Sequence, residues 1–185
     1  MYNIHLFFYI LFFTLNIITL AQEKFFINFR TDIGFLNYEF EDFKKNEFYI
    51  IPIQNIYFAL NIKVNNDFTF QLRPGLMLNK HNFEGFEMGS FVVYDFCDPK
   101  IFINAGCNFH FNIDKEGNSG GTGETASFLA LGIGYRLSKI LSLEFSDHLS
   151  LKGKYGFFFI NEKHRNHSIL NILKIGLIIK IGGNE

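Results

Sequence analysis

The sequence predicts an all-β protein, an eight-stranded antiparallel up-and-down barrel. Three observations predict it. Apolar and polar residues alternate in eight separate stretches, a period of two that a helix, at about 3.6 residues per turn, would scramble. The connections between the stretches alternate between short and long along the chain. One face of the stretches is rich in Gly, Ala and charge, and the other in Phe, Leu and Ile.

The first 24 residues, MYNIHLFFYILFFTLNIITLAQEK, stand apart. Leu6 to Leu20 is interrupted only by Thr14, Asn16 and Thr19, and Thr19-Leu20-Ala21 sets small residues before Gln22. This predicts a signal peptide over residues 1–21, cleaved after Ala21, and export from the cytoplasm. No Lys or Arg precedes the apolar run, so an N-terminal anchor is the rival reading, but the run is short of the ~20 residues a helical span needs. Residues 22–185 then form one barrel domain. No later run is apolar for that length.

Each strand follows in order. In 25–36, Ile27, Phe29, Thr31, Ile33 and Phe35 oppose Asn28, Arg30, Asp32 and Gly34. In 55–64, Ile56, Phe58, Leu60, Ile62 and Val64 oppose Tyr57, Ala59, Asn61 and Lys63. In 68–78, Phe68, Phe70, Leu72, Leu76 and Leu78 oppose Thr69, Gln71, Arg73, Gly75 and Met77. Segment 85–96 alternates least cleanly, with Glu87, Gly89 and Asp95 on its polar face. Asn104, Gly106, Asn108, His110 and Asn112 share a face in 101–112, and Ala126, Ala130, Gly132, Gly134 and Arg136 in 125–137. Ser142, Glu144, Ser146, His148, Ser150 and Lys152 do so in 141–152. Segment 168–182 closes the set, with Lys174, Gly176, Ile178 and Lys180 between Ile175, Leu177, Ile179 and Ile181.

The tight connections are Asn65-Asn66-Asp67, Cys97-Asp98-Pro99-Lys100 and Ser138-Lys139-Ile140, the first two with turn formers. The long ones are 37–53, 80–84, 113–124 and 153–167. An even strand number with short turns at one end and long loops at the other is the layout of an outer-membrane barrel. The polar face decides which way the barrel is turned. Small residues are needed inside a narrow eight-stranded barrel and have no purpose on a wetted outer surface. The Gly/Ala/charge face is therefore expected inside and the Phe/Leu/Ile face toward lipid, giving a transmembrane barrel. A soluble exported lipocalin-like binding barrel, with the apolar rows lining a cavity, is the opposite assignment.

FLALGIGYRLSKILSLEF (128–145), LRPGLML (72–78) and INAGCNFHF (103–111) resemble the strand–turn–strand core of the small outer-membrane β-barrel family. That family is also described as the porin family or outer membrane protein β-barrel domain, and is OmpA/OmpX-like in architecture. The resemblance spans residues 22–185 and implies the outer membrane of a Gram-negative bacterium. It implies no activity. Lys174, Gly176, Ile179 and Ile181 resemble the family's C-terminal assembly signal, which implies the barrel-assembly machinery as a partner, with outer-membrane lipid. The family usually ends on an aromatic residue, whereas here Ile181 is followed by Gly182-Gly183-Asn184-Glu185.

The inward charges expected to form a lumen network are Arg30, Asp32, Lys63, Arg73, Glu87, Asp95, Arg136, Glu144, Lys152 and Lys174. Buried charges must be paired, so this set predicts a plugged lumen. A wide channel needs ~16–18 strands. One catalytic-looking pair exists: His148 and Ser150 share a strand face, resembling the His-x-Ser of outer-membrane lipid A deacylases. That family has Asn where this chain has Leu151, and lumenal His148 and Ser150 lie out of a lipid's reach. Asp147 has lipid-facing parity, for which a β-bulge near Ser146–Asp147 is the expected remedy.

No metal or cofactor is expected. His164-Arg165-Asn166-His167 and DKEGNSGGTGE (114–124) read as solvated loops: the second lacks the P-loop Lys-Ser/Thr and the calcium-loop carboxylate positions. Cys97 and Cys107 are expected unpaired, since an extended strand separates them by roughly 20 Å. The net charge of −1 gives no reason to expect nucleic acid. The expected role is structural or surface contact with an extracellular or envelope protein. The contact surface is expected on residues 37–53, which carry Glu39, Glu41, Asp42, Lys44, Lys45 and Glu47.

Overall fold

The computed structural model describes residues 25–41, 46–78, 84–96, 100–113, 125–151 and 167–182. Residues 1–21, Cys97, Lys152 and the sequences at 114–124 and 164–166, each assigned a role above, lie outside the described residues. The alternating stretches are all strands: β1 (Phe25–Glu41), β2 (Asn46–Lys63), β3 (Phe68–Leu78), β4 (Gly85–Asp95), β5 (Ile101–Asn112), β6 (Thr125–Arg136), β7 (Leu141–Ser150) and β8 (His167–Lys180). Each pairs antiparallel with its sequence neighbour, and β8 returns to β1, so the sheet closes into an eight-stranded barrel. Closure removes every sheet edge along the shared length of the strands. The backbone seam continues past β8, where the Ile181 N–H donates to the Ile27 carbonyl at 2.9 Å.

Two of the short turns are fixed by their own side chains. Asn65 Oδ1 accepts from the backbone N–H groups of Asp67 (2.9 Å) and Phe68 (2.8 Å), and Ser138 Oγ accepts from Ile140 (3.2 Å) and Leu141 (3.1 Å). These Asx- and Ser-type contacts add to backbone bonds that close the same turns, from the Asn65 N–H to the Phe68 carbonyl (3.3 Å) and from the Ser138 N–H to the Leu141 carbonyl (3.0 Å). Both lie at the end of the barrel that holds Phe25 and Lys180, here called the short-turn end.

The segment 37–53 is not a loop. β1 runs on to Glu41 and β2 starts at Asn46, with register Tyr38↔Tyr49 and Glu41↔Asn46. The contact surface expected there is therefore the end of the β1–β2 hairpin, with β1 still paired to β8 as far as Phe40↔His167, and only residues 42–45 at its tip lie outside the described set. Aromatic and β-branched residues (Tyr38, Phe40, Phe48, Tyr49, Ile50, Ile51) favour strand, and this outweighs the charge run that reads as solvated loop. β7 likewise ends at Ser150.

The bulge is also elsewhere. β6–β7 and β7–β8 pair without interruption through Ser146 and Asp147. The register shift instead lies between β1 and β8, where Asn37 pairs Asn171 and Tyr38 pairs Ile169, leaving Leu170 as the extra residue. Asp147 keeps its outward parity because Asn171 Nδ2 donates to its Oδ1 at 2.8 Å. Asn171 Oδ1 in turn accepts from Asn37 Nδ2 at 2.8 Å.

The barrel is turned as its composition demands. Ile33, Phe58, Leu76, Leu131, Ile133, Phe145 and Ile175 all point out and are 47–63% exposed, whereas Arg30, Asp32, Glu87, Glu144 and Lys174 are 0–1% exposed in the lumen. Glycines make room for large inward groups. A Cβ on Gly134 would collide with the Phe102 ring, which fills the lumen from the neighbouring strand β5. Gly134→Leu is expected to overpack this site and destabilise the barrel by about 1–3 kcal/mol, read as a lower urea midpoint in lipid vesicles. The outward Ile133→Leu serves as the neutral control.

Candidate functional site

Among the described residues, polar and charged side chains gather in the lumen, which has three layers. At the long-loop end lies an apolar cap of Leu36, Ile51, Ile53, Met77, Ala126, Phe128, Ile169 and Ile172, with Tyr38 packed against it. A buried charge network lies below it. A cavity of about 470 Å³ opens at the short-turn end and reaches down to Arg73 and Glu144.

The network has two joined halves. In the first, Glu144 on β7 accepts from Arg30 Nη1 on β1 and, through both oxygens, from Arg73 Nη1 and Nη2 on β3 at 3.0 Å each. Arg30 Nε also donates to Asp32 at 2.6 Å. The Arg73 guanidinium lies 4.0 Å from the Phe91 ring centroid, and its Nε donates to Gln71. In the second half, Glu87 Oε2 on β4 accepts from Lys174 Nζ (3.0 Å), Asn55 Nδ2 (3.0 Å) and the Tyr57 hydroxyl. Lys174 also donates to the Tyr57 oxygen at 2.7 Å, and His110 Nδ1 lies 3.6 Å from Glu87 Oε1. Tyr57 bridges the halves, with Arg30 6.0 Å from its ring centroid.

Six of the ten inward charges read from the sequence therefore meet here: Arg30, Asp32, Arg73, Glu87, Glu144 and Lys174. They are three cations and three carboxylates, so the buried network is neutral with all six ionised. Arg136 and Asp95 pair at 2.5 Å but stay 32% and 22% exposed, at the wall of the short-turn cavity. Lys63 is exposed at the rim of that cavity. Sequence reading missed Tyr57, Asn55, His110 and Gln71 as network members. Their only signal is that they share the inward parity of the charges.

The catalytic-looking residues His148 and Ser150 both lie on β7. His148 Nε2 lies 3.4 Å from Ser146 Oγ, and the ring packs edge-on to Phe91 with centroids 6.4 Å apart. His148 is 3% exposed, inside the lumen and away from any acyl chain outside it. In the closing strand, Lys174 and Gly176 are buried in the lumen while Ile179 and Ile181 lie on the outer row. A Cβ on Gly176 would collide with Asp32 Oδ1 and the Arg30 guanidinium. Cys107 is a free thiol, and among the described residues no group of His, Cys, Asp and Glu is placed to hold a metal ion.

No family model and no curated protein matches the chain. Among solved structures, it is similar to Neisserial surface protein A, at 14% identity over 84% of this chain and 97% of that one, with a TM-score of 0.43. It is also similar to the N-terminal β-barrel domain of Pseudomonas aeruginosa OprF, at 14% identity over 81% and 97%, with a TM-score of 0.40. The barrel assignment rests on the strand pairing itself.

Proposed function

We propose that this chain is a small integral protein of a Gram-negative outer membrane. In this reading its role is structural or surface contact, and its plugged lumen is the scaffold rather than a channel. One observation carries it: the polarity of a soluble protein is inverted, with an apolar outer surface around an interior whose six buried charges are ion-paired. Strands of 10–18 residues meet the ~9–11 that a tilted strand needs to cross the hydrocarbon. Only closed barrels can cross as sheet, because lipid satisfies no backbone group. The termini would face the periplasm and the β1–β2 hairpin the exterior, where it would offer a surface to a protein partner or to lipopolysaccharide. Lys174, Gly176, Ile179 and Ile181 would be read by the assembly machinery.

Cell fractionation followed by a gel run with and without boiling tests this reading. The expected result is an outer-membrane band whose mobility changes on heating, as a closed barrel resists SDS until heated. A periplasmic protein, folded and monodisperse without detergent, would reverse the assignment and make the Phe/Leu rows the lining of a ligand cavity. The outer belt gives a second test. Leu131→Lys is expected to cost about 2–4 kcal/mol in lipid vesicles if Leu131 lies near the bilayer midplane. On a solvated outer surface the same change would stay within about 0.5 kcal/mol. Urea titration of the two proteins in vesicles distinguishes these cases.

A further inference from the structure

The short-turn cavity is not needed to plug the barrel, and its lining is specific. Its volume of about 470 Å³ falls in the range of small-molecule sites, roughly 300–1,000 Å³. Five cationic residues line it, Lys63, Arg73, Arg136, Lys139 and Lys180, against three acidic ones, Asp67, Asp95 and Glu144. Two acids and two cations cancel in pairs, Asp95 with Arg136 and Glu144 with Arg73, which leaves Lys63, Lys139 and Lys180 against Asp67. The field in the cavity is therefore positive, and a cleft with low-dielectric walls concentrates it.

Two of the cations are held at the wall. Lys180 Nζ lies 5.2 Å from the Phe26 ring centroid and the Arg136 guanidinium 5.1 Å from that of Phe102, cation–π seats that hold them there. Between them the wall carries amides and hydroxyls. Asn28, 9% exposed, lines the cavity, and its buried Oδ1 has no hydrogen-bond partner. An unmet buried acceptor calls for a donor, and a ligand hydroxyl is one.

We propose that the short-turn end of the barrel is a binding site for a small, hydroxyl-bearing anion of sugar-phosphate or sugar-acid type, taken from the compartment that the termini face. Lys63 and Lys180 would attract the anionic group, and Asn28 would accept from a hydroxyl.

The test is calorimetric titration of the protein, isolated from membranes and placed in lipid nanodiscs, with glucose 6-phosphate, glucuronate, glucose and inorganic phosphate. Saturable binding of at least one sugar anion, at least tenfold tighter than glucose or phosphate, is expected. Lys63→Gln combined with Lys180→Gln should weaken it tenfold or more while keeping the heat-modifiable gel band, since neither lysine belongs to the buried network. Should that pair lose the folded band, Lys63→Glu alone, at the exposed rim, is expected to give the same weakening. No saturable heat with either sugar anion would overturn the proposal. So would glucose binding equally well, or phosphate binding equally well (which would leave an anion seat without a hydroxyl site). Unchanged affinity in a folded variant would place the site elsewhere. The gel band reports the barrel independently, so failure here is distinct from failure of the outer-membrane reading.

Discussion

Glu144→Gln is expected to cost the barrel about 3–5 kcal/mol, enough to abolish the heat-resistant band or shift its urea midpoint sharply. The carboxylate holds two guanidiniums at once, Arg30 and Arg73, and all three groups are 0–4% exposed at the side chain. Removing the charge leaves two buried cations facing the single carboxylate of Asp32, and an uncompensated buried charge costs several kcal/mol. The amide can donate and accept, but it cannot replace a bidentate charge-assisted pair. The double variant Glu144→Gln with Arg73→Met restores the charge balance, so it is expected to be more stable than Glu144→Gln alone. A single variant with wild-type stability would mean that the network is wetted and that its charges contribute little.

The same network shows what the sequence could and could not reveal. Parity along a strand is local information, and it placed Arg30, Asp32, Arg73, Glu87, Glu144 and Lys174 on inward faces without any knowledge of tertiary contacts. Strand count and the position of the turns follow from equally local signals, as the Asn65 turn illustrates. Pairing is not local. Arg30 meets Glu144 across 114 residues, and Lys174 meets Glu87 across 87. Both meetings depend on barrel closure and register, which a one-dimensional pattern does not contain. The apolar cap was obscured for a related reason. Ile53, Phe128 and Ile172 point inward in strands whose outward rows are also apolar, so their alternation vanishes. The 37–53 segment reads as a loop because its charges cluster toward the hairpin tip, whereas Tyr38 and Ile51 beside them are strand residues. Asp147 was legible as a lipid-facing anomaly. Its remedy was not, because it comes from Asn171 on the next strand.

Lys174→Met separates two roles that one residue carries. As part of an assembly signal, Lys174 would matter only in the cell, where the insertion machinery reads the closing strand. As a lumen cation, it is the ammonium that the buried Glu87 faces at 3.0 Å. The second role predicts that purified Lys174→Met, refolded into lipid vesicles with no machinery present, is less stable by about 3–5 kcal/mol. Glu87 would keep Asn55 and Tyr57 as donors, but neither carries charge. Adding Glu87→Gln removes the orphaned carboxylate and is expected to recover much of the loss in vitro. It would not restore the lysine to the closing strand. If the double variant refolds in vesicles yet accumulates poorly in the outer membrane of cells, Lys174 is read during assembly as well as paired in the lumen. If the single variant refolds with wild-type stability, the Glu87–Lys174 pair adds nothing to the folded barrel, and the lysine is there for assembly alone.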